Sequence, residues 1–127
     1  MIKSNKQFSL SDRIKSFSYA FNGVQVLFRN EHNARIHLLA SIFAVGFSYY
    51  FNISSMEWVV IIFCIGFVFM AELFNSSIEY LADAVSKERN ELIGIAKDLG
   101  AAGVLVSAIF SMIVGSIVFL PKILELL

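Results

Sequence analysis

The chain has 127 residues, 57% apolar and 16% charged, with zero net formal charge and a mean hydropathy of +0.73. Soluble domains run at about 45–50% apolar and about 25% charged, so this composition excludes an ordinary water-soluble fold, and the balanced charge points to no nucleic-acid partner. The length suits one domain, residues 1–127, and the lone Cys64 excludes a disulfide framework.

The first predicted element is an amphipathic helix over about residues 9–30. Ile14, Phe17, Phe21, Val24 and Phe28 recur at helical spacing, and Ala20 and Leu27 widen the stripe. Arg13, Lys15, Asn22, Gln25 and Arg29 hold other positions, and Ser11 and Asp12 offer a cap near the start. Such a helix lies in a membrane interface or lays its stripe on neighbouring helices. The opening residues are polar or amphipathic, so a signal peptide is not expected.

Three apolar segments follow, residues 37–51, 58–71 and 99–120, each without Asp, Glu, Lys or Arg. A span needs about 20 residues, with about 17 as the short limit. The last segment meets this outright and is expected to stop at Pro121; the first two reach it by borrowing neighbouring turns. The expected fold class is an all-α membrane protein, a surface helix plus three transmembrane helices at about 35–52, 57–80 and 97–120. Lys3, Lys6, Arg13, Lys15, Arg29 and Arg35 precede the first span, and Lys87, Arg89 and Lys97 lie in the second connection, whereas residues 52–57 hold no Lys or Arg. The positive-inside rule then predicts a multi-pass protein of the cytoplasmic (inner) membrane with its N-terminus in the cytoplasm.

The second apolar segment runs straight into an acidic stripe, residues 71–83. On a helix, Asn75, Ser76, Glu79 and Asp83 all fall within about 60° of Glu72, and Ser77 falls off that face. Acids at the end of a span are expensive, and proteins keep them where they handle ions, protons or charged substrates. The helix rise separates Glu72 from Glu79 by about 10 Å, too far for both side chains to ligate one ion at about 2.0–2.6 Å. Two jobs are therefore expected, and Mg²⁺, which takes one or two carboxylates plus phosphate oxygens, suits one of them. A polar face of this kind also serves as glue between helices, and a lone Glu there would be expected to pair with Arg35 or Lys97. His32 and His37 read as polar interface residues rather than ligands, and Trp58 as an interfacial aromatic.

The pattern Glu72-x-x-Asn75-x-x-x-Glu79-x-x-x-Asp83, followed by Lys97-Asp98, resembles that of the prokaryotic integral-membrane diacylglycerol kinases, which include undecaprenol kinases. The resemblance runs from Arg13 to the third apolar segment. It implies an ATP- and Mg²⁺-dependent lipid kinase acting on diacylglycerol or undecaprenol in the bilayer, assembled as a homotrimer with sites shared between protomers. Glu72 would be the general base, with Asn75 orienting it or a phosphate and Ser76 and Asp83 in support. Glu31 and Glu79 would hold the metal and, with Arg13, Tyr19, Lys97 and Asp98, the nucleotide. Arg13 and Arg35 would face the lipid headgroup. Where the family commonly places an aromatic and a His after an acid, this chain has Arg89-Asn90 after Glu88; Arg89 then replaces base stacking with its guanidinium plane or contacts phosphate, with Glu88 and Asn90 beside it. The competing reading is a non-enzymatic small membrane protein that uses the stripe for ions or assembly.

Overall fold

The sequence's polar breaks fall where the helices end. The computed structural model describes residues 7–127; Lys3 and Lys6, counted in the charge asymmetry, lie outside them. Four helices account for nearly all described residues: α1 Leu10–Asn30, α2 His32–Tyr50, α3 Ser55–Val85 and α4 Glu91–Leu124.

Each boundary has a local cause. Ser9 caps α1 by accepting from Asp12 N at 3.4 Å. Glu31 is the single extended residue between α1 and α2. Arg35 holds that corner, since its Nε donates to Phe28 O at 2.8 Å and its Nη2 donates to Arg29 O, satisfying carbonyls at the end of α1. The α2 helix ends at Tyr50, and two residues on the chain turns at Asn52, whose φ of 48° is left-handed, a conformation that Asn tolerates better than most residues. Ser54 and Glu57 form a reciprocal capping box that starts α3. Asn90 starts α4 by accepting from Leu92 N at 2.9 Å and Ile93 N at 3.4 Å.

The helices run up and down. Ion pairs join α3 and α4 at both ends, Asp83 Oδ1 to Lys97 Nζ at 2.6 Å and Glu57 Oε1 to Lys122 Nζ at 3.1 Å. Midway, Ser111 Oγ donates to Cys64 O at 3.4 Å, so the pair is antiparallel. The α2 helix lies alongside. At the Glu57 end its last turn joins Ile53, Ile61 and Val118 in an apolar cluster with Phe51, Trp58 and Phe119, and the Tyr49 and Trp58 rings meet edge-to-face at 4.9 Å.

Three expectations need adjustment. The α4 helix continues through Pro121 to Leu124; proline removes one backbone donor, but its carbonyl still accepts, from Glu125 N at 3.2 Å, and the helix proceeds for a further turn. Two helices, α3 and α4, are long and apolar enough to cross a membrane; α2, with 19 residues, does not meet that measure. Most of the α1 stripe stays off the bundle: Ile14, Phe17 and Phe21 are exposed, and only its last turns bind, with Leu27 buried and Phe28 edge-on to Phe69. A face so apolar and so open suits an interface with lipid or with another chain.

Candidate active site

The expected stripe points inward except at Asp83, which is exposed. Glu72, Asn75 and Ser76 are buried, Glu79 is half-buried, and Ser77 faces out, returning its hydroxyl to Phe74 O. Glu72 is the largest fully buried side chain, only 1% exposed. Its neighbour is neither Arg35 nor Lys97. His37 Nε2, from α2, lies 3.2 Å from Glu72 Oε1, in a contact that lacks the alignment of a hydrogen bond and leaves that oxygen unpartnered.

Two further buried polar atoms beside it, Asn75 Oδ1 and Ser76 Oγ, also lack partners. Buried polar groups are almost always paired, so three orphans on adjoining turns mark a place built for something else. Asn75 does not reach Glu72. Its Nδ2 donates to Glu79 Oε1 at 3.5 Å, the long limit for such a bond, and so leans toward the second acid. Glycine makes this pose possible: a Cβ at Gly100 would stand 2.6 Å from Asn75 Oδ1. Gly103, also expected to serve helix contact, faces open space. Glu31 and Glu79 lie within electrostatic range of Glu72. Among the described residues, no three His, Cys, Asp or Glu side chains converge as a ready metal site.

Two cavities flank this centre. An open cleft of about 490 Å³ is lined by Asp83, Lys87, Glu88, Arg89, Asn90 and Lys97, among others. An apolar cavity of about 260 Å³ begins at His37 and runs between α2, α3 and α4 past Ser41, Cys64, Val68 and Ser111 to Phe119.

A family model described as prokaryotic diacylglycerol kinase matches residues 18–119, most of the chain. The chain belongs to the prokaryotic diacylglycerol kinase family. It is similar to the undecaprenol kinase of Bacillus subtilis (strain 168), 35% identical over 109 residues that cover 86% of this chain and 89% of that protein. It is similar also to the diacylglycerol kinase of Escherichia coli (strain K12), 32% identical over 100 residues, 79% of this chain and 82% of that one. The Haemophilus influenzae diacylglycerol kinase is 30% identical over 115 residues, covering 90% and 98%. The chain is thus an enzyme of the lipid-kinase type, and its helices make it an all-α membrane protein.

Against this background the kinase gathers some expected residues and scatters others. Glu31, Glu72, Asn75, Ser76 and Glu79 share one neighbourhood. Glu88, Arg89, Asn90 and Lys97 share the open cleft, although the Asn90 side chain is already engaged as the α4 cap. Asp98 is exposed and outside that lining. Arg13 and Tyr19 line a separate shallow cleft with Asp12 and Lys15 on α1, and among the described residues no hydrogen bond or ion pair ties either to Glu72. Arg35, expected at a lipid headgroup, caps α1 instead. His37 was not expected to contact the base candidate, and Tyr80, whose hydroxyl accepts from Asn30 Nδ2 at 2.7 Å, was not singled out at all.

The Asp83–Lys97 pair gives a clean prediction. Both groups are substantially exposed, so the pair contributes little to stability. Lys97→Met should leave thermal unfolding unchanged while raising the KM for ATP about tenfold or more, the expected loss for one charge-assisted contact to phosphate. Unchanged ATP kinetics would remove Lys97 from the nucleotide site.

Proposed function

We propose that this kinase transfers the γ-phosphoryl group of Mg²⁺-bound ATP to the hydroxyl of a membrane lipid alcohol, diacylglycerol or undecaprenol. The single observation that carries this reading is Glu72: a carboxylate sealed from water, one oxygen unpartnered, in contact with His37, which lines an apolar cavity. A hydrocarbon chain would lie in that cavity, with its hydroxyl reaching Glu72. Glu72 would take the hydroxyl proton as the oxygen attacks phosphorus and the β–γ bridge breaks. Desolvation keeps water, the competing acceptor, away from that base.

The nucleotide would occupy the cleft at the α3–α4 connection, whose volume falls within the range of about 300–1,000 Å³ usual for small-molecule sites. Lys97 and Arg89 would meet its phosphates. The donor set suits Mg²⁺. Glu31 and Glu79 offer two hard carboxylates, Asn75 Oδ1 is a carbonyl oxygen without a partner, and phosphate oxygens would complete the shell. When bound, the ion supplies charge neutralisation on the transferring group. With α2 as a third span, the N-terminus and the 83–98 connection would face the cytoplasm, where ATP is. The open α1 stripe and the separated Arg13 and Tyr19 favour a homotrimer in which a neighbouring protomer completes the nucleotide and headgroup sites.

Purified protein in mixed micelles with labelled ATP and Mg²⁺ should phosphorylate diacylglycerol, undecaprenol or both, and chelation should abolish the reaction. A folded sample that labels neither lipid would defeat the proposal. The ratio of the products assigns the acceptor.

A further inference from the structure

A base that works in each turnover must lose its proton again. Glu72 is badly placed to do so by itself, since its side chain is 2% exposed and its surroundings exclude water. His37, in contact at 3.2 Å, is 22% exposed. It stands two turns, about 9 Å, from the polar start of α2 at Glu31, His32 and Asn33. The other candidates are worse. Glu31 and Glu79 act on Glu72 through space, and neither forms a hydrogen bond with it. The Asn75 amide is turned toward Glu79 and does not titrate. Arg35 is spent on α1 carbonyls, and Lys97 on Asp83. Among the described residues, His37 is the one side chain that forms an ion-pair contact with Glu72.

We infer that His37 is the proton exit of this kinase, receiving at Nε2 the proton that Glu72 takes from the acceptor hydroxyl and passing it to water. The step balances without a further reagent. The Glu72 O–H bond breaks, the His37 N–H bond forms, the carboxylate is regenerated, and the imidazolium returns to imidazole as water accepts the proton. An imidazole suits this post because its ring nitrogens can both accept and donate a proton. The inference rests on the proposed role of Glu72 as base. His37 touches no reacting phosphorus or lipid oxygen in this scheme, and it acts through Glu72 as a positioning and relay residue.

The test uses full-length protein in mixed micelles with the lipid that labels best. His37→Ala and the more conservative His37→Gln should each lower kcat about 100-fold, within the usual range for one acid–base group, with KM for ATP and lipid unchanged. Added imidazole should restore kcat to His37→Ala, where it finds space beside the apolar cavity, and not to His37→Gln. Wild-type kcat in a folded variant overturns the relay, as does a loss confined to KM or one that imidazole leaves unrepaired in folded His37→Ala. If His37→Ala does not fold, kcat of His37→Gln decides alone. Glu72→Gln, run in parallel, separates the two readings: an active Glu72→Gln removes the base itself, whereas an inactive one beside a fully active His37→Gln removes only the exit.

Discussion

Glu72→Gln is expected to lower kcat for lipid phosphorylation by about 10²- to 10⁴-fold while leaving the protein at least as heat-stable as wild type. The two effects have one cause. Glu72 sits 1% exposed with an oxygen that no donor satisfies, and a buried acid without full hydrogen bonding opposes folding. Glutamine keeps the shape, removes the charge and loses the ability to accept a proton. A residue kept for packing would show the reverse, with activity falling only as stability fell. Functional sites commonly trade stability for reactivity in this way. The measurement pairs a labelled-phosphate assay with thermal unfolding in the same detergent, and adds nucleotide binding, which should persist. Normal turnover, or turnover lost only in step with unfolding, would show that Glu72 is structural.

Gly100→Ala should cost about tenfold to 100-fold in kcat/KM, and Gly103→Ala should cost nothing measurable. In a helix alanine is ordinarily better than glycine by roughly 0.5–1 kcal/mol, so propensity alone predicts that both substitutions stabilise. They differ in what the new methyl meets. At Gly103 there is nothing within 4 Å. At Gly100 the methyl would stand 2.6 Å from Asn75 Oδ1, with Ile78 Cδ1 next at 3.4 Å. The amide is the movable end of a side chain, so the helices need not part. Asn75 must rotate instead, losing its contact with Glu79 and withdrawing its free oxygen from the site. Misplacing a positioning group by about 1 Å is enough for a loss of this size. Equal behaviour of the two variants would mean that the Asn75 pose is not used.

Much of this was legible beforehand because it depends on one helix at a time. The inward face of Glu72, Asn75, Ser76 and Glu79, and the outward turn of Ser77, follow from helical pitch alone. The start of α1 near residue 9 and the gathering of Glu88, Arg89 and Lys97 follow from local chemistry and chain proximity, although the cap is Ser9 and not the expected Ser11 or Asp12. What escaped depends on two helices meeting. His37 reads as one polar residue in an apolar run, and nothing in its neighbours reveals that α2 turns it toward Glu72. Gly100 and Gly103 are indistinguishable by composition, yet only one faces Asn75. Arg35 carries a charge suited to a headgroup, but the sharp corner at Glu31 brings the end of α1 within its reach. Pro121 suggested a stop because it lacks a donor, but its carbonyl still accepts from Glu125 N, and the last turn forms.

The Glu57–Lys122 pair gives the molecule a depth gauge. Two charges held together at 3.1 Å beside the Tyr49 and Trp58 rings belong at the rim of the hydrocarbon, where aromatic rings also gather. Counting from that rim at 1.5 Å per residue, a hydrocarbon layer of about 30 Å runs out near Ser77. Glu72 then lies about 7 Å inside the far boundary, and Glu79 just beyond it. The oil–water frontier would cross α3 between its two acids, so one helix would serve two solvents: under the proposed reaction the acceptor would stay dissolved in the bilayer, the nucleotide would stay in water, and the reacting atoms would meet within two turns of α3.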